Sequence, residues 1–440
     1  MSPARANWAL AWPLILSNLS VPLLGMVDLA AIGRFGTTAE LAAVGLGANL
    51  VSAVYFLLGF LRTGTTALAA RAVGARDPDE AAAVLARSLG LALLAGLLLA
   101  AASPLLVLAA EALLRPEPEV AGPLRDYVAI RLLGAPAVLA GFAGVGWCLG
   151  SQDARRPLLL AIVTNLSNAA LTVLLVAGFG LGVRGAAIAS VLAELLAAAL
   201  LRPLLLPLFH RSGAGRPSVA RLLDRARVAA LFRINRDLFL RSLLLEAAFL
   251  TFAAASSRQG QLVLAANAVL KTFFTLSAYG LDGFAHATEA LIGKAVGARD
   301  PAAVRAAVAA GLGNGVFVAV TMTIAFLLLG DGLVRLLTDL EEVRAAAGRQ
   351  LVLAGLLPLV SVWAFLFDGV FFGAARAREL RDSMALALAL FLLLLPLQAG
   401  FGNTGLWLAF LGFLAARGAA LALLWRRLGA ERFAAAGGRP

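Results

Sequence analysis

Apolar runs of eighteen or more residues recur along the entire 440-residue chain, and they constrain its fold more than any other feature. Each run is long enough to cross a hydrocarbon layer about 30 Å thick as an α-helix. The runs are continuous and do not alternate, which excludes a β-barrel, the other structure that satisfies backbone polar groups in lipid. Only 14% of the residues are charged, too few for a soluble globular domain. The sequence therefore predicts an all-α integral membrane protein.

These runs predict twelve transmembrane helices, arranged as two lobes of six. The first six helices are predicted at 8–33, 40–70, 85–110, 127–149, 157–179 and 185–208. The second six are predicted at 237–257, 262–293, 308–329, 350–374, 384–398 and 405–425. The predicted domains are an N-terminal lobe at 1–209, a basic cytoplasmic linker at 210–236 and a C-terminal lobe at 237–440. No cleavage site follows a short apolar core near the N-terminus, so we expect the first helix to be retained.

The formal net charge of +12 comes mainly from arginines in short loops between the apolar runs. In a soluble protein such a charge would suggest nucleic acid, but here it follows the positive-inside rule, and we expect no nucleic-acid partner. The predicted orientation places both termini in the cytoplasm and the chain in a bacterial inner membrane. The densest arginine cluster falls in the 210–236 linker, where it could alternatively bind anionic lipid.

An internal repeat divides the chain into two halves. Ala72 to Pro78 reads Ala-Val-Gly-Ala-Arg-Asp-Pro, and the same seven residues return from Ala295 to Pro301. The spacing from Ala72 to Ala295, here called the repeat offset, also aligns Thr65 with Thr288 without a gap. Because each half holds an even number of helices, both halves should enter the membrane in one orientation, related by a pseudo-twofold axis along the membrane normal. Two such bundles would enclose a central cavity.

One acid stands out in the first predicted helix. A charged side chain at the centre of a bilayer helix costs about 2.5–3.5 kcal/mol, so an uncompensated acid there needs a reason. Asp28 has no Lys or Arg within one turn on either side, and we expect it to exchange protons. Asn168 and Thr172 share one face of the fifth helix, and Ser190 lies on the sixth. We predict that these three side chains hydrogen-bond Asp28, although polar residues between membrane helices often serve packing alone.

Two prolines precede this acid in the same helix. Pro13 and Pro22 each remove one backbone hydrogen bond and favour a bend. A bend near a titratable acid could couple protonation to helix shape. The alternative is a static kink that helps packing.

The second lobe carries acids of its own. Glu246, Asp282, Glu289 and Asp368 fall within predicted spans, and none has an acidic counterpart at the repeat offset. Glu246, Asp282 and Asp368 are predicted to bind a substrate cation or a coupling ion. Internal ion pairs are the alternative, for which the available bases are Arg62, Arg241 and Lys271.

Aromatic residues crowd the same lobe. Those predicted to contact the substrate are Phe274, Tyr279, Trp363 and Phe367. Together with the acids they could hold a flat lipophilic cation by stacking and cation–π contact. Core or lipid-facing packing is the alternative for each ring. A single Cys148 and two histidines argue against a disulfide framework or a metal cluster, so we expect no metal and no cofactor.

Several motifs resemble the multidrug and toxic compound extrusion (MATE) family, specifically its DinF-like branch. The likeness covers the whole chain and is strongest in these stretches: Pro13 to Asp28, Gly150 to Pro157, Asn168 to Thr172, Gly182 to Ser190, Asn267 to Glu289 and Trp363 to Met384. The resemblance implies a transporter that exports organic cations, drugs or other amphipathic compounds by alternating access, in exchange for protons or sodium. We expect a monomer in the lipid bilayer.

The resemblance also bears on the coupling ion. Asp28 resembles the relevant acid of proton-coupled members, so we expect H⁺. Glu246 and Asp368 match positions tied to cation binding in sodium-coupled relatives, which leaves Na⁺ open. Many members carry a second acid in the fifth helix where this sequence has Thr172, so coupling in the first lobe would depend on Asp28 alone.

Two other functions stay open at this point. A lipid or oligosaccharide flippase of the same superfamily would favour a basic cavity, whereas the charges within the predicted spans here lean acidic. A membrane-embedded lipid transferase would need an aspartate-rich metal motif or a histidine pair, and the sequence shows neither.

Overall fold

The computed structural model describes the backbone of residues 2–212 and 217–435, and their side chains except those of 21–24 and 208–212. Every regular element in this described part is a helix, so the all-α prediction is confirmed. The earlier helices are α1 Pro3–Phe35, α2 Thr38–Leu58, α3 Phe60–Gly74, α4 Pro78–Ala101, α5 Ser103–Leu114, α6 Pro118–Leu133, α7 Ala135–Gly150, α8 Arg155–Thr172 and α9 Gly182–Ser212. A π-helical turn, Val173–Gly178, continues α8.

The later helices include the longest in the chain. They are α10 Val219–Leu222, α11 Arg225–Arg258, α12 Gln261–Gly297, α13 Pro301–Leu337, α14 Glu341–Gly348, α15 Leu351–Gly355, α16 Leu357–Gly373, α17 Ala377–Leu394 and α18 Leu397–Ala435. Helix α18 is interrupted by non-helical backbone at Gly402 and Gly429, where positive φ angles of 54° and 68° suit glycine.

Ten described helical segments are long and apolar enough to cross a membrane, and α6 with α7, bent by 46°, forms an eleventh. Helix α17 takes the place of the remaining predicted span at 384–398. It begins at Ala377, earlier than predicted, so its first turns carry the charges of Arg378 and Arg381. The twelve-helix prediction is thereby confirmed, with shifted ends where a charged turn continues an apolar helix.

The repeated heptapeptide folds in the same way in both halves. Arg76 and Arg299 each adopt a φ of 55°, the left-handed conformation that ends many helices. The next residue donates its backbone N–H five residues back in each copy, from Asp77 to Ala72 over 3.0 Å and from Asp300 to Ala295 over 3.1 Å. Each of these aspartates then caps the following helix, with its Oδ1 accepting a backbone N–H over 2.9 Å.

A second pair of turns repeats at the same offset, but with reversed charges. Gln152 and Ala375 adopt φ angles of 64° and 53° and end α7 and α16. In the first copy Arg156 pairs with Asp153, whereas in the second the base comes first and Arg376 pairs with Glu379. The repeat offset places Asp153 with Arg376 and Arg156 with Glu379. The backbone of the turn is thus kept while the direction of the ion pair is inverted.

The chain separates into two compact units. The first-half unit comprises Leu16–Val228, and the second-half unit comprises Ala229–Pro440 together with Met1–Ile15. This division differs from the predicted lobe boundaries because the start of α1 packs among the later helices. There, Asn7 Nδ2 donates to Thr288 Oγ1 over 3.1 Å, and the Trp8 ring meets the Phe284 ring edge-on, with centroids 4.7 Å apart.

The predicted linker is partly helical. Residues 213–216 lie outside the described residues, and α10 and the start of α11 follow them. Arg221 Nη1 donates to Asp77 Oδ1 over 2.9 Å, and Arg227 pairs with Glu80. These ion pairs explain why residues up to Val228 belong to the first-half unit.

Candidate functional site

Asp28 of α1 is buried in the first-half unit among hydrogen-bonding side chains. Thr172 Oγ1 donates to its Oδ1 over 2.8 Å, and Ser190 Oγ lies 3.4 Å from its Oδ2. Asn168 Nδ2 in turn donates to Ser190 Oγ over 2.8 Å. The structure therefore brings the three predicted side chains together with Asp28, but only Thr172 and Ser190 contact the carboxylate, and Asn168 reaches it through Ser190. Their role in proton coupling stays a prediction.

Local sequence explains how these groups meet. Thr172 is the last residue of α8, directly before the π-helical turn, a feature that often marks functional sites in helices. On α9 the fully buried Ala186, Ala189 and Ala193 surround Ser190 and permit close approach of neighbouring helices. The short hydroxyl side chains of Thr172 and Ser190 consequently reach the carboxylate, and the Asn168 amide reaches Ser190.

No Lys or Arg of the described chain forms an ion pair with Asp28. A partly buried ion pair lies nearby instead, in which Arg131 Nη1 of α6 donates to Glu194 Oε1 of α9 over 2.7 Å. Arg131 interacts electrostatically with Asp28, and so does Glu194. The carboxylate is thus held by neutral donors and lies within the field of a separate ion pair.

Pro13 is a buried residue of α1, in the segment that packs with the second-half unit. The side chain of Pro22 lies outside the described side chains. Helix α1 runs unbroken from Pro3 to Phe35. The structure therefore does not test the predicted coupling of a bend to protonation.

Asp368 of α16 has entirely different surroundings from Asp28. Both Arg241 of α11 and Arg417 of α18 donate to its Oδ2. The two guanidiniums also lie over aromatic rings, Arg241 over Phe372 at 5.3 Å and Arg417 over Phe365 at 5.6 Å. The ion-pair alternative therefore describes Asp368 better than the predicted cation site, since two guanidiniums already neutralise this carboxylate.

The other predicted acids of the second-half unit differ in their surroundings. Glu246 is half-buried, and within residues 2–212 and 217–435 no hydrogen bond or ion pair reaches it. Asp282 is half-buried and acts electrostatically on Arg241 and Tyr279. Glu289 is fully buried, with Oε2 2.9 Å from Nδ1 of His286. Of the predicted cation ligands, Glu246 is thus the one whose carboxylate is most available to bind a cation.

The predicted aromatic residues do not form one group. Phe274 packs in an aromatic core, 5.3 Å from Phe249 and 5.9 Å from Phe410 between ring centroids. Phe367 is buried, whereas Trp363, one turn earlier in the same helix, is exposed, and Tyr279 is half-buried. For Phe274 the packing alternative fits the structure better than the predicted substrate contact. Among the described residues no group of three or more His, Cys, Asp or Glu could hold a metal ion.

Comparison with known proteins decides the family. The sequence model of the MatE family matches residues 13–174 and 238–400, one segment in each half. The chain belongs to the MatE family. This confirms the resemblance to MATE transporters, and the matched segments agree with the internal repeat.

Relatives in this family extend over the full chain. The chain is 42% identical to the Escherichia coli DNA damage-inducible protein F over 97% of this chain and 93% of that protein. It is 28% identical to a Pseudomonas aeruginosa protein named probable multidrug resistance protein NorM, over 96% and 89% of the two chains. Among solved structures, the bent form of the Vibrio cholerae MATE transporter VcmN superposes with a TM-score of 0.88 at 21% identity, covering 99% and 98% of the two chains.

Family membership makes this chain a multi-pass membrane protein of a transporter family rather than a member of an enzyme family. MATE transporters handle small-molecule substrates in membranes, which agrees with the expected partners of this chain.

Three charged residues enter these sites without having been singled out in the sequence: Arg131, Glu194 and Arg417. A signal for Glu194 was present, because it follows Ser190 by four residues and so shares its helix face. A signal for Arg417 was its alignment with Glu194 at the repeat offset, which gives the two halves opposite charges at one repeat position.

Proposed function

We propose that this chain is a multidrug antiporter that exports organic cations or amphipathic compounds in exchange for protons by alternating access. It would act in the inner membrane of a bacterial cell, with both termini in the cytoplasm. The observation that carries the proposal is the contrast between two buried carboxylates. Asp28 is surrounded by neutral donors, whereas Asp368 is neutralised by two guanidiniums.

Proton exchange requires a carboxyl group that can exist in both forms. Hydroxyl groups can donate to a carboxylate and accept from a carboxylic acid, so Thr172 and Ser190 can partner Asp28 in either state. Protonation would remove a negative charge from a buried site and so weaken its attraction for a cationic substrate. Proton and substrate would then compete for the first-half unit, which is the basis of exchange.

Sodium coupling is a weaker proposal on the same observations. A sodium ion needs several oxygen ligands, and the carboxylate of Asp368, predicted to provide one of them, already receives two guanidiniums. Of the two acids that resemble the cation ligands of sodium-coupled relatives, only Glu246 would then be left to supply negative charge. Proton coupling through Asp28 does not require Arg241 or Arg417 to leave Asp368.

A flippase for phosphate-bearing lipids is also less well supported. Arg241, a basic residue available for such a cavity, is committed to Asp368, and Lys271 lies over the Phe249 ring at 5.6 Å. The name of the Pseudomonas aeruginosa relative favours multidrug transport instead.

The proposed orientation agrees with the placement of arginines. The four repeated turns end helices α3, α7, α12 and α16, after an even number of spans in each case, and would therefore face the same side of the membrane. Arg76, Arg299 and Arg376 lie in these turns, Arg156 lies at the start of the helix after one of them, and the basic linker also follows an even number of spans. The positive-inside rule assigns that side to the cytoplasm.

The test is dye transport in proteoliposomes that carry an imposed pH gradient and no sodium. We expect the unchanged protein to move ethidium or a similar cationic dye against its gradient, and Asp28→Asn to be no faster than empty vesicles. Wild-type transport by Asp28→Asn would exclude Asp28 from coupling. Transport that requires sodium in place of the pH gradient would refute the proton assignment.

A further inference from the structure

A second acid, Glu194, interacts electrostatically with Asp28, and the proposed exchange does not explain why it is there. Glu194 is four residues after Ser190 on α9, so the two side chains share one face of that helix. Its Oε1 accepts from Arg131 Nη1 over 2.7 Å, whereas its Oε2 is buried and receives no hydrogen bond within the described chain. A half-satisfied buried carboxylate is costly, which argues against a purely structural ion pair.

Two glycines leave space for the side chains of Glu194 and Tyr127. A Cβ added at Gly134, directly after α6, would lie 2.4 Å from Glu194 Oε2, so glycine lets this carboxylate lie close to the backbone in its present position. Gly47 of α2 similarly lets Tyr127 approach, because a Cβ at that position would lie 2.6 Å from the Tyr127 ring. Two glycines thus admit a polar cluster into a buried region that is otherwise apolar.

Five helices contribute charged, titratable or hydrogen-bonding groups to the cluster. Asp28 comes from α1, Tyr55 from α2, Tyr127 and Arg131 from α6, Asn168 and Thr172 from α8, and Ser190 and Glu194 from α9. The Tyr55 hydroxyl donates to the Arg131 carbonyl over 3.1 Å, which fixes the backbone that carries the guanidinium. The charged members are therefore two carboxylates and one guanidinium.

We propose that the Arg131–Glu194 pair keeps Asp28 free of a permanent counterion and so limits the first-half unit to one proton per transport cycle. This inference rests on the proposed function. With Glu194 ionised, Arg131 is engaged, and the three groups carry one net negative charge when Asp28 is ionised. One proton on Asp28 brings the net charge to zero, and one monovalent organic cation does the same. Glu194 is a positioning residue here, because it acts on Asp28 through Arg131.

Removing Glu194 has a definite expected effect. In Glu194→Gln, Arg131 keeps its charge but loses its carboxylate partner, and its field then acts on Asp28 alone. Ionised Asp28 is favoured, so the midpoint pH of its protonation should fall by about one unit or more, a tenfold or larger change in proton affinity. In the double variant Arg131→Gln/Glu194→Gln the guanidinium is gone as well, and the midpoint should return to within about half a unit of the wild-type value.

The measurement is an infrared difference titration of the purified protein in lipid, which follows the band of protonated carboxyl groups and needs no substrate. The Asp28 contribution is the part of the band that disappears in Asp28→Asn. A matched control is Asp126→Asn, because the exposed Arg184–Asp126 pair joins the same two helices, with Nε and Oδ2 2.8 Å apart. Thermal unfolding of each variant shows which ones are folded.

The possible results separate the two proposals. A lowered midpoint in Glu194→Gln, restored in the double variant and unchanged in Asp126→Asn, supports the inference. An unchanged midpoint in Glu194→Gln, or a lowered midpoint that persists in the double variant, refutes it. If Glu194→Gln does not fold, the midpoint of the double variant decides, and a shift of more than about half a unit from the wild-type value refutes the inference. If Asp28→Asn keeps wild-type transport, the proposed function itself fails, whatever the titration shows.

Discussion

The two halves of this chain share a backbone plan and differ in how they treat buried charge. In the first-half unit, Asp28 accepts hydrogen bonds from hydroxyls and stands apart from an Arg131–Glu194 pair. In the second-half unit, Asp368 is neutralised by Arg241 and Arg417. The repeated turns keep the same φ angle at their matching arginines, the residues before Asp77 and Asp300. Duplication therefore preserved the helix ends, while the charged positions diverged.

One position of the repeat carries opposite charges in the two halves. Glu194 and Arg417 align at the repeat offset, and each takes part in an ion pair between helices of its own unit. The turns after α7 and α16 show the same inversion, with Asp153–Arg156 in one half and Arg376–Glu379 in the other. In the first-half unit Asp28 has only hydroxyl partners, whereas in the second-half unit Asp368 is paired with two guanidiniums. This difference favours Asp28 over Asp368 as the site of proton exchange.

The largest expected effect concerns stability in the second-half unit. Asp368→Asn leaves the buried guanidinium of Arg417 and the partly buried one of Arg241 without this carboxylate, and the free energy of unfolding should fall by about 3–5 kcal/mol. Asp28→Asn should change it by no more than about 1 kcal/mol, since an amide oxygen still accepts from Thr172. Thermal or denaturant unfolding in detergent compares the two variants. Equal losses would remove the contrast between the acids.

The next effect concerns proton affinity in the first-half unit. Thr172→Val removes the 2.8 Å hydrogen bond to Asp28, and a bond to a charged group is worth about 1.5–3 kcal/mol. Because this bond stabilises the ionised form, its loss should raise the midpoint pH of Asp28 protonation by about one to two units. Ser190→Ala, with a longer 3.4 Å contact, should shift it less.

Thr172→Ser, which keeps the hydroxyl, is the matched control for this titration. It should retain the wild-type midpoint to within about half a unit. A fall in the midpoint for Thr172→Val, opposite to the expected direction, would show that the hydroxyl does not act on Asp28.

A smaller effect is expected at Glu246 of the second-half unit. Glu246→Gln should weaken the apparent affinity for a cationic substrate about tenfold, or about 1.4 kcal/mol, while an uncharged substrate is unaffected. Concentration-dependent transport of the two substrates measures this difference, and Glu342→Gln, an exposed acid, is the control. Equal weakening for both substrates would point to packing rather than charge.

The smallest effect distinguishes the two copies of the repeated turn. Asn caps helices as well as Asp does, so Asp77→Asn and Asp300→Asn should both keep their helix caps. Only Asp77 also holds Arg221 of the linker, so Asp77→Asn should lose up to about 1 kcal/mol of unfolding free energy and Asp300→Asn almost none. Thermal unfolding of the two variants gives this comparison. A larger loss in Asp300→Asn would contradict it.

Much of this architecture could be predicted from the sequence. Helix length in lipid follows from apolar run length, and the identical heptapeptides predicted identical turns. The grouping of Asp28 with Asn168, Thr172 and Ser190 followed from helical spacing and polarity. Helix ends were less accurate where charged turns extend apolar helices, as at Ala377 in α17.

The ion pairs between helices could not be predicted in the same way. Arg417 lies 49 positions from Asp368 and Arg241 lies 127, so the three meet only because of how α11, α16 and α18 are rotated about their axes. Apolar composition all around a membrane helix leaves that rotation undetermined. For the same reason, Arg131 and Glu194 could not be recognised as partners, although each lies within a predicted span.

If Asp28 alone carries the exchanged proton, counting protons is the most direct test. Calorimetric binding of a monovalent organic cation in buffers of different ionisation enthalpy gives the number of protons released per cation bound. We expect close to one for the unchanged protein and none for Asp28→Asn, with Glu246→Gln still releasing close to one. Undiminished proton release from Asp28→Asn would contradict the assignment of the exchanged proton to Asp28.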